Sequence, residues 1–243
     1  MEVVPVAVDT SEFDTNRAEH THWFRKLHHL ESAFLVLYSG NIGVKHDPEI
    51  IVQAANRLRE HERIFFAVVG EGALRKALLT LIETYALDNI KIFPLCERSQ
   101  LPDMLASADL LLLPQRKEVM DTVVPSKLLT YFATGRTIVA SVHAGSEAAH
   151  LITEHTAGIT VPAEDADALA ETILRIYMHP EQGAHFGLRG KALARNYFDR
   201  KVVYQRYIAL FGQTAAVQEQ SVELLDSALQ AESQTISPDS KAT

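Results

Sequence analysis

Between Phe34 and Val161 the sequence alternates, six times over, a short unbroken apolar run with a loop and a stretch of helical spacing. Few folds accept that pattern. A strand covered on both faces reads as a continuous apolar run, because neither side of the pleat meets water. Phe34–Ser39, Ile64–Val69, Asn89–Leu95, Leu110–Leu113, Thr137–Val142 and Gly158–Val161 are such runs. Strands that alternate with helices must lie parallel, joined by right-handed crossovers. The expected fold class is therefore α/β, a doubly wound parallel six-stranded sheet with helices on both faces and a helical C-terminus.

The helices have their own signals. Asp47-Pro48 suits a helix start, with Asp47 as cap and Pro48 in the first turn, and Ile50, Ile51, Ala54, Ala55 and Leu58 follow at helical spacing. Helices are expected over Ala73–Tyr85, Ser99–Ser107, Pro125 to about Gly135, and Ser146 to about His155. Three more follow over Asp165–Met178, Pro180–Arg195 and Asp199–Phe211. Residues 1–33 read as a lead-in segment with a short helix over His20–Leu30, and 34–212 as one binding domain. Residues 213–243 contain no aromatics and are rich in Gln, Ser, Ala and Glu, which reads as a polar tail, partly helical or disordered.

Composition narrows the function. The net charge of −8 argues against broad attraction to nucleic acid or anionic lipid. The lone cysteine, Cys96, leaves no disulfide framework and no zinc-type cluster, and it reads as a small core residue. No apolar run approaches the ~20 residues that a membrane helix needs. Met1–Val8 lacks the basic and apolar regions of a signal peptide. The expected location is the cytoplasm, with room for peripheral contact with the inner face of a membrane. His20, His22, His28 and His29 crowd the start, but no acidic or cysteine ligands accompany them, so no metal site is expected.

In an open parallel sheet, ligands bind beyond the carboxyl ends of the strands. Three segments fall there. Gly40-Asn41-Ile42-Gly43 follows the first strand and reads either as a phosphate-cradling loop or as a plain strand-to-helix turn. It matches neither the Walker motif nor the dinucleotide fingerprint, which counts against a Rossmann-type dehydrogenase. Gly70-Glu71-Gly72 follows the second strand and reads more readily as a glycine turn. Val124-Pro125-Ser126-Lys127 opens a helix, where proline at the first helical position leaves amides free for an anion. Ser126 adds a hydroxyl there and Lys127 a positive charge suited to phosphate.

Taken together, these segments resemble the donor domain of glycosyltransferase family four, the retaining GT-B enzymes. The stretches that carry the resemblance are Ala108-Asp109-Leu110-Leu111-Leu112-Leu113-Pro114 and Val124 through Ser141, with Tyr38–Gly43 in support. The Pro-Ser-Lys variant looks most like the subgroup that builds exopolysaccharide, including colanic-acid-type transferases. The resemblance implies a nucleotide-sugar donor, UDP- or GDP-linked, and no metal or other cofactor. It implies donor contacts from Gly40, Asn41, Gly43 and Lys45 on the first loop. Further contacts fall to Gly70, Glu71, Leu95, Val124, Ser126, Lys127 and Thr130. Many members carry two glutamates eight residues apart, where this chain has Thr122 and Thr130.

The resemblance also implies an acceptor domain that this chain lacks, missing or separately encoded, so the chain alone is expected to bind donor weakly and not to turn over. Val4–Phe13 resembles the segment that joins the two halves. The competing expectations are a non-catalytic nucleotide-binding remnant, a subunit of a split enzyme, and part of a sugar-nucleotide epimerase. No catalytic residue is assigned from the sequence.

Overall fold

The computed structural model describes residues 6–14, 23–120 and 124–212. The expected tail and the His20-x-His22 pair lie outside the described residues. The chain divides into two compact units, Pro5–Arg200 and a second that contains residues 201–212. In the second unit residues 201–212 are helical, with the rings of Tyr207 and Phe211 stacked at 6.5 Å.

The first unit is the sheet domain. Its strands are β1 (Phe34–Ser39), β2 (Ile64–Val69), β3 (Ile90–Phe93), β4 (Leu110–Pro114), β5 (Thr137–Val142) and β6 (Ile159–Pro162). All neighbours pair in parallel, in the order β3-β2-β1-β4-β5-β6. The helices are α1 (Trp23–His28), α2 (Glu49–Arg57), α3 (Arg75–Thr84), α4 (Leu101–Ala106), α5 (Ser126–Thr134), α6 (Glu147–Glu154), α7 (Ala166–Met178) and α8 (Pro180–Leu193).

The inner strands β1, β2, β4 and β5 face two apolar layers, as their unbroken runs require, while the edge strands β3 and β6 expose Lys91 and Thr160. Leu35 and Leu37 join Leu128, Phe132, Ile152 and Leu193, so α5, α6 and α8 cover one face. Val36 and Tyr38 point the other way, into a layer with Ile51, Leu78 and Ile173 from α2, α3 and α7. α8 approaches closely because it carries glycine at the contact. A Cβ on Gly187 would lie 2.1 Å from the Gly135 carbonyl oxygen.

Several starts and stops follow local chemistry. Asp165 and Ser146 accept the Ala168 and Ala149 amides and cap α7 and α6. Asp47 accepts from the Ile50 backbone, while Pro48 already holds helical dihedrals. α5 starts one residue later than the sequence suggests. Pro125 is extended, at φ −60° and ψ 127°, so it is the cap and Ser126 the first helical residue. Gly135 ends α5 in the left-handed region at φ 73°, the usual glycine stop.

At the amino ends of the strands, Arg25 and Asp109 form the tie between α1 and the sheet. Arg25 donates to Asp109 at 2.6 Å and to the carbonyls of Ser107 and Ala33 at 2.7 and 2.8 Å. Asp109 also accepts the Leu35 amide at 2.7 Å, which fixes the start of β1 beside β4. The Ala-Asp of the sequence motif is thus structural in this chain. Arg25→Met removes the cation that pairs with Asp109 and the donor to the Ser107 and Ala33 carbonyls. We expect it to cost about 3 kcal/mol, read as a lower urea midpoint at unchanged slope.

Candidate functional site

The strand order reverses between β1 and β4, and that switch point opens a crevice at the carboxyl edge of a doubly wound sheet. A cavity of about 350 Å³ lies along this edge. Ser39 and Gly40 line it from the end of β1, Val69 from β2, and Leu95, Cys96 and Arg98 from the segment after β3. Leu101 and Leu105 of α4 form an apolar wall, and Ser126, Lys127, Thr130 and Tyr131 of α5 form the opposing one.

α5 is held to β1 by Tyr131, whose hydroxyl receives the Ser39 amide at 3.0 Å and faces the Ser39 carbonyl at 3.3 Å. This contact aims the start of α5 at the cavity. The first-turn amides of a helix have no partner within it, and no side chain caps them here. They join the positive end of the helix to the ammonium of Lys127. Lys127 is half-buried, lies 4.1 Å above the Tyr38 ring, and donates to the Tyr38 hydroxyl at 2.9 Å. No carboxylate among the described residues pairs with it. Burial pushes its ammonium down to about 7. Tyr38 is pushed up by burial, so its phenol stays neutral. A half-buried cation with only a phenol for company, beside an uncapped helix start, is built to receive an anion.

Backbone bonds tie the two glycine loops together. Gly40 donates to the Val69 carbonyl at 2.9 Å, Ile42 to Glu71 at 2.8 Å, and Leu74 to Ile42 at 3.0 Å. Gly70-Glu71-Gly72 therefore buttresses the Gly40–Gly43 loop, and the Gly40 and Ile42 amides are already engaged. Gly40 adopts φ 142°, and a Cβ there would meet the Lys127 Nζ at 2.6 Å. Its absent side chain is the space the lysine occupies.

Gly40, Leu95, Ser126, Lys127 and Thr130 share the cavity, and the structure brings them together. Asn41 is exposed, and its carbonyl accepts the Tyr38 hydroxyl at 2.7 Å. Gly43 is half-buried in the same loop, and Lys45 is exposed and does not line the cavity. Glu71 pairs with Arg75 at 3.4 Å, and Val124 packs on the core, both away from the cavity lining. The Thr130 hydroxyl donates to Ser126 within its own helix at 3.2 Å. Its intended counterpart, Thr122, lies outside the described residues. Cys96 lines the cavity with its thiol pushed up by burial, so it is no activated nucleophile. Tyr38, Tyr131 and Arg98 are the site residues that sequence reasoning passed over. For Arg98 the available signal was its place in the segment beyond the carboxyl end of β3.

Residues 19–192 match the family described as glycosyl transferases group 1. The chain belongs to this family. Among curated relatives, the Escherichia coli (strain K12) protein WcaI, named for colanic acid biosynthesis as a glycosyl transferase, is 32% identical over 178 residues. The match covers 73% of this chain and 42% of that relative, so the chain spans about two fifths of its length. HepE of Anabaena, solved in complex with UDP and glucose, shares the fold at a TM-score of 0.73 and 16% identity. That likeness covers 85% of this chain and 55% of HepE. A solved C-terminal domain of the group 1 family protein LpcC from Francisella tularensis superposes at a TM-score of 0.64 and 16% identity. It covers 79% of this chain and 99% of that domain. Among the described residues no helix is long and apolar enough to cross a membrane.

Proposed function

We propose that the group 1 glycosyltransferase cavity binds the diphosphate and base of a nucleotide sugar, and that the chain is the donor-binding half of a retaining transferase. The single observation that carries this is Lys127, a cation without a carboxylate partner among the described residues, set at the uncapped start of α5 over a cavity with an apolar wall. The diphosphate fits the lysine and the amides of Ser126 and Lys127. The base fits the side formed by Leu95, Leu101 and Leu105. Arg98 is the second cation in reach of this space.

As the sugar bond breaks, negative charge grows on the leaving nucleoside diphosphate. The ammonium and the α5 dipole are preorganised for that charge, which is how such a site lowers the barrier without a metal. The acceptor is a glycan or a lipid-linked glycan in polysaccharide assembly, in line with the colanic acid relative. Peripheral contact with a membrane follows if that acceptor is lipid-linked. The acceptor-binding half belongs to another part of a longer chain or to a separate one, in line with the length that the relatives have beyond the match. This chain then binds donor and does not turn over by itself. HepE bound to UDP-glucose makes a uridine donor the first choice over a guanosine one.

A second reading, a nucleotide-binding module without catalysis, is favoured by Thr130. Its hydroxyl is engaged within α5 and offers the ribose no charged acceptor. Calorimetric titration with UDP, GDP and their sugar conjugates, followed by a transfer assay with an acceptor domain added, separates the two. Uridine nucleotides are expected to bind in the micromolar to millimolar range, about −8 to −4 kcal/mol, with transfer only in the presence of the acceptor half. Binding without transfer under any pairing supports the module. Turnover by the pure chain contradicts the donor-half reading.

A further inference from the structure

The Tyr38 hydroxyl makes two bonds that face opposite ways. It accepts from Lys127 Nζ at 2.9 Å and donates to the Asn41 carbonyl at 2.7 Å. The same ring lies under the ammonium at 4.1 Å. Tyr38 is fully buried on β1, so its ring cannot move aside, and its donation to Asn41 leaves the oxygen lone pairs turned toward Lys127. One residue thus connects the floor of the sheet, the first loop and the cation on α5.

We propose that Tyr38 is the positioning residue for Lys127, and that it sets the pH above which nucleotide binding takes up a proton. This rests on the reading of the cavity as a nucleotide site. The groups that face Lys127 are few. Tyr38 faces it from β1 and Tyr131 from its own helix, the latter with its hydroxyl engaged on the Ser39 backbone. Cys96 and Arg98 face the cavity from the segment after β3. No carboxylate of the described residues lines the cavity, so the ammonium is held by one phenol oxygen and one ring face.

Such a lysine loses its proton near neutrality when the cavity is empty, in keeping with its downward displacement by burial. A diphosphate in contact with it favours the charged form. Above neutral pH the free chain with neutral Lys127 therefore binds the diphosphate together with one proton from solvent, and the complex holds an ammonium. Tyr38 sets where this begins. Its hydroxyl accepts more strongly from the ammonium than from the neutral amine, and that difference corresponds to about one pH unit or a tenfold change in population.

The test uses UDP-glucose, whose two phosphates are both esterified, so that the ligand itself does not titrate between pH 6 and pH 8.5. Calorimetry in buffers of different ionisation enthalpy reads the proton uptake directly. In the unaltered chain, affinity is expected to fall with rising pH above neutrality, with proton uptake approaching one per nucleotide bound. Tyr38→Phe keeps the buried ring and volume but removes the acceptor. The fall should begin about one pH unit lower, with affinity about tenfold weaker at pH 8. In a Lys127→Met background the pH dependence should vanish, and Tyr38→Phe should cause no further loss. A pH profile and proton uptake unchanged by Tyr38→Phe overturn the proposal, as does an equal loss with and without Lys127. Binding by the unaltered chain that is flat with pH overturns it while leaving the nucleotide site intact. No binding by a folded chain overturns both.

Discussion

Lys127→Met is expected to lower affinity for nucleoside diphosphates by about 100-fold, or nearly 3 kcal/mol, and to make the chain more stable at neutral pH. The two effects have one cause. The ammonium is half-buried with no carboxylate partner among the described residues, so the folded state carries a desolvation cost that only an anionic ligand offsets. The ligand then gains a charge-assisted contact in a water-poor cleft, and truncating such a contact commonly costs 2–5 kcal/mol.

The stability effect has a definite sign. The folded-state value lies near 7 and the ordinary value is 10.5, so between them the unfolded chain holds more protons than the folded one. Stability of the unaltered chain therefore rises with pH across that window. Methionine fills a similar volume without the charge. After allowance for partial solvent contact, the gain at pH 6.5 is about 1–2 kcal/mol, and it shrinks toward pH 9. Urea denaturation at the two pH values measures this. A variant that loses binding and stability together would mean that Lys127 is a structural residue.

Gly70→Ala is expected to cost about 3 kcal/mol or more and to abolish nucleotide binding with it. A Cβ there would stand 2.0 Å from the Gly40 carbonyl oxygen and 3.1 Å from its carbon. Both are backbone atoms, so no rotamer change relieves the collision. Gly40 cannot retreat, because its amide is bonded to Val69 and Lys127 fills the space beside its α-carbon. Gly43→Ala is the contrast. Its nearest neighbours are the side-chain amide atoms of exposed Asn41 at 3.0 to 3.3 Å, which rotate away. It should change stability by less than about 1 kcal/mol. Thermal melts of the two variants, with nucleotide titration of whichever remains folded, decide between a buttress and a phosphate cradle for these loops.

The sheet was legible because its four inner strands are buried on both sides and carry almost no exposed residue, while only Lys91 interrupts β3 and Thr160 interrupts β6. Five of the six runs fall within one residue of the strands that form. The third is shorter than its run, because Leu95 has left the sheet to line the cavity, 59% exposed. α3 begins two residues later than its apolar spacing suggests, because Glu71 and Leu74 are bonded to Ile42 of the first loop. Pro125 marks the start of α5 and so places Ser126 and Lys127 in its first turn. Tyr38 was not legible as a site residue. A tyrosine within an apolar strand reads as core, and the partner that gives its hydroxyl a role lies 89 residues away. Lys45 shows the converse. Its place after the glycine loop suggested phosphate contact, but the side chain is exposed outside the cavity.

The most direct test of the nucleotide site is amide chemical-shift mapping of the isotopically labelled chain during titration with UDP-glucose. The expected result is a saturable set of changes confined to the carboxyl edge of the sheet: Gly40, Cys96, Arg98, Ser126 and Lys127. Arg25, Asp109 and Arg136 at the opposite edge should stay still. Saturable changes centred on that opposite edge, or none at all in a well-dispersed spectrum at millimolar nucleotide, would contradict the account.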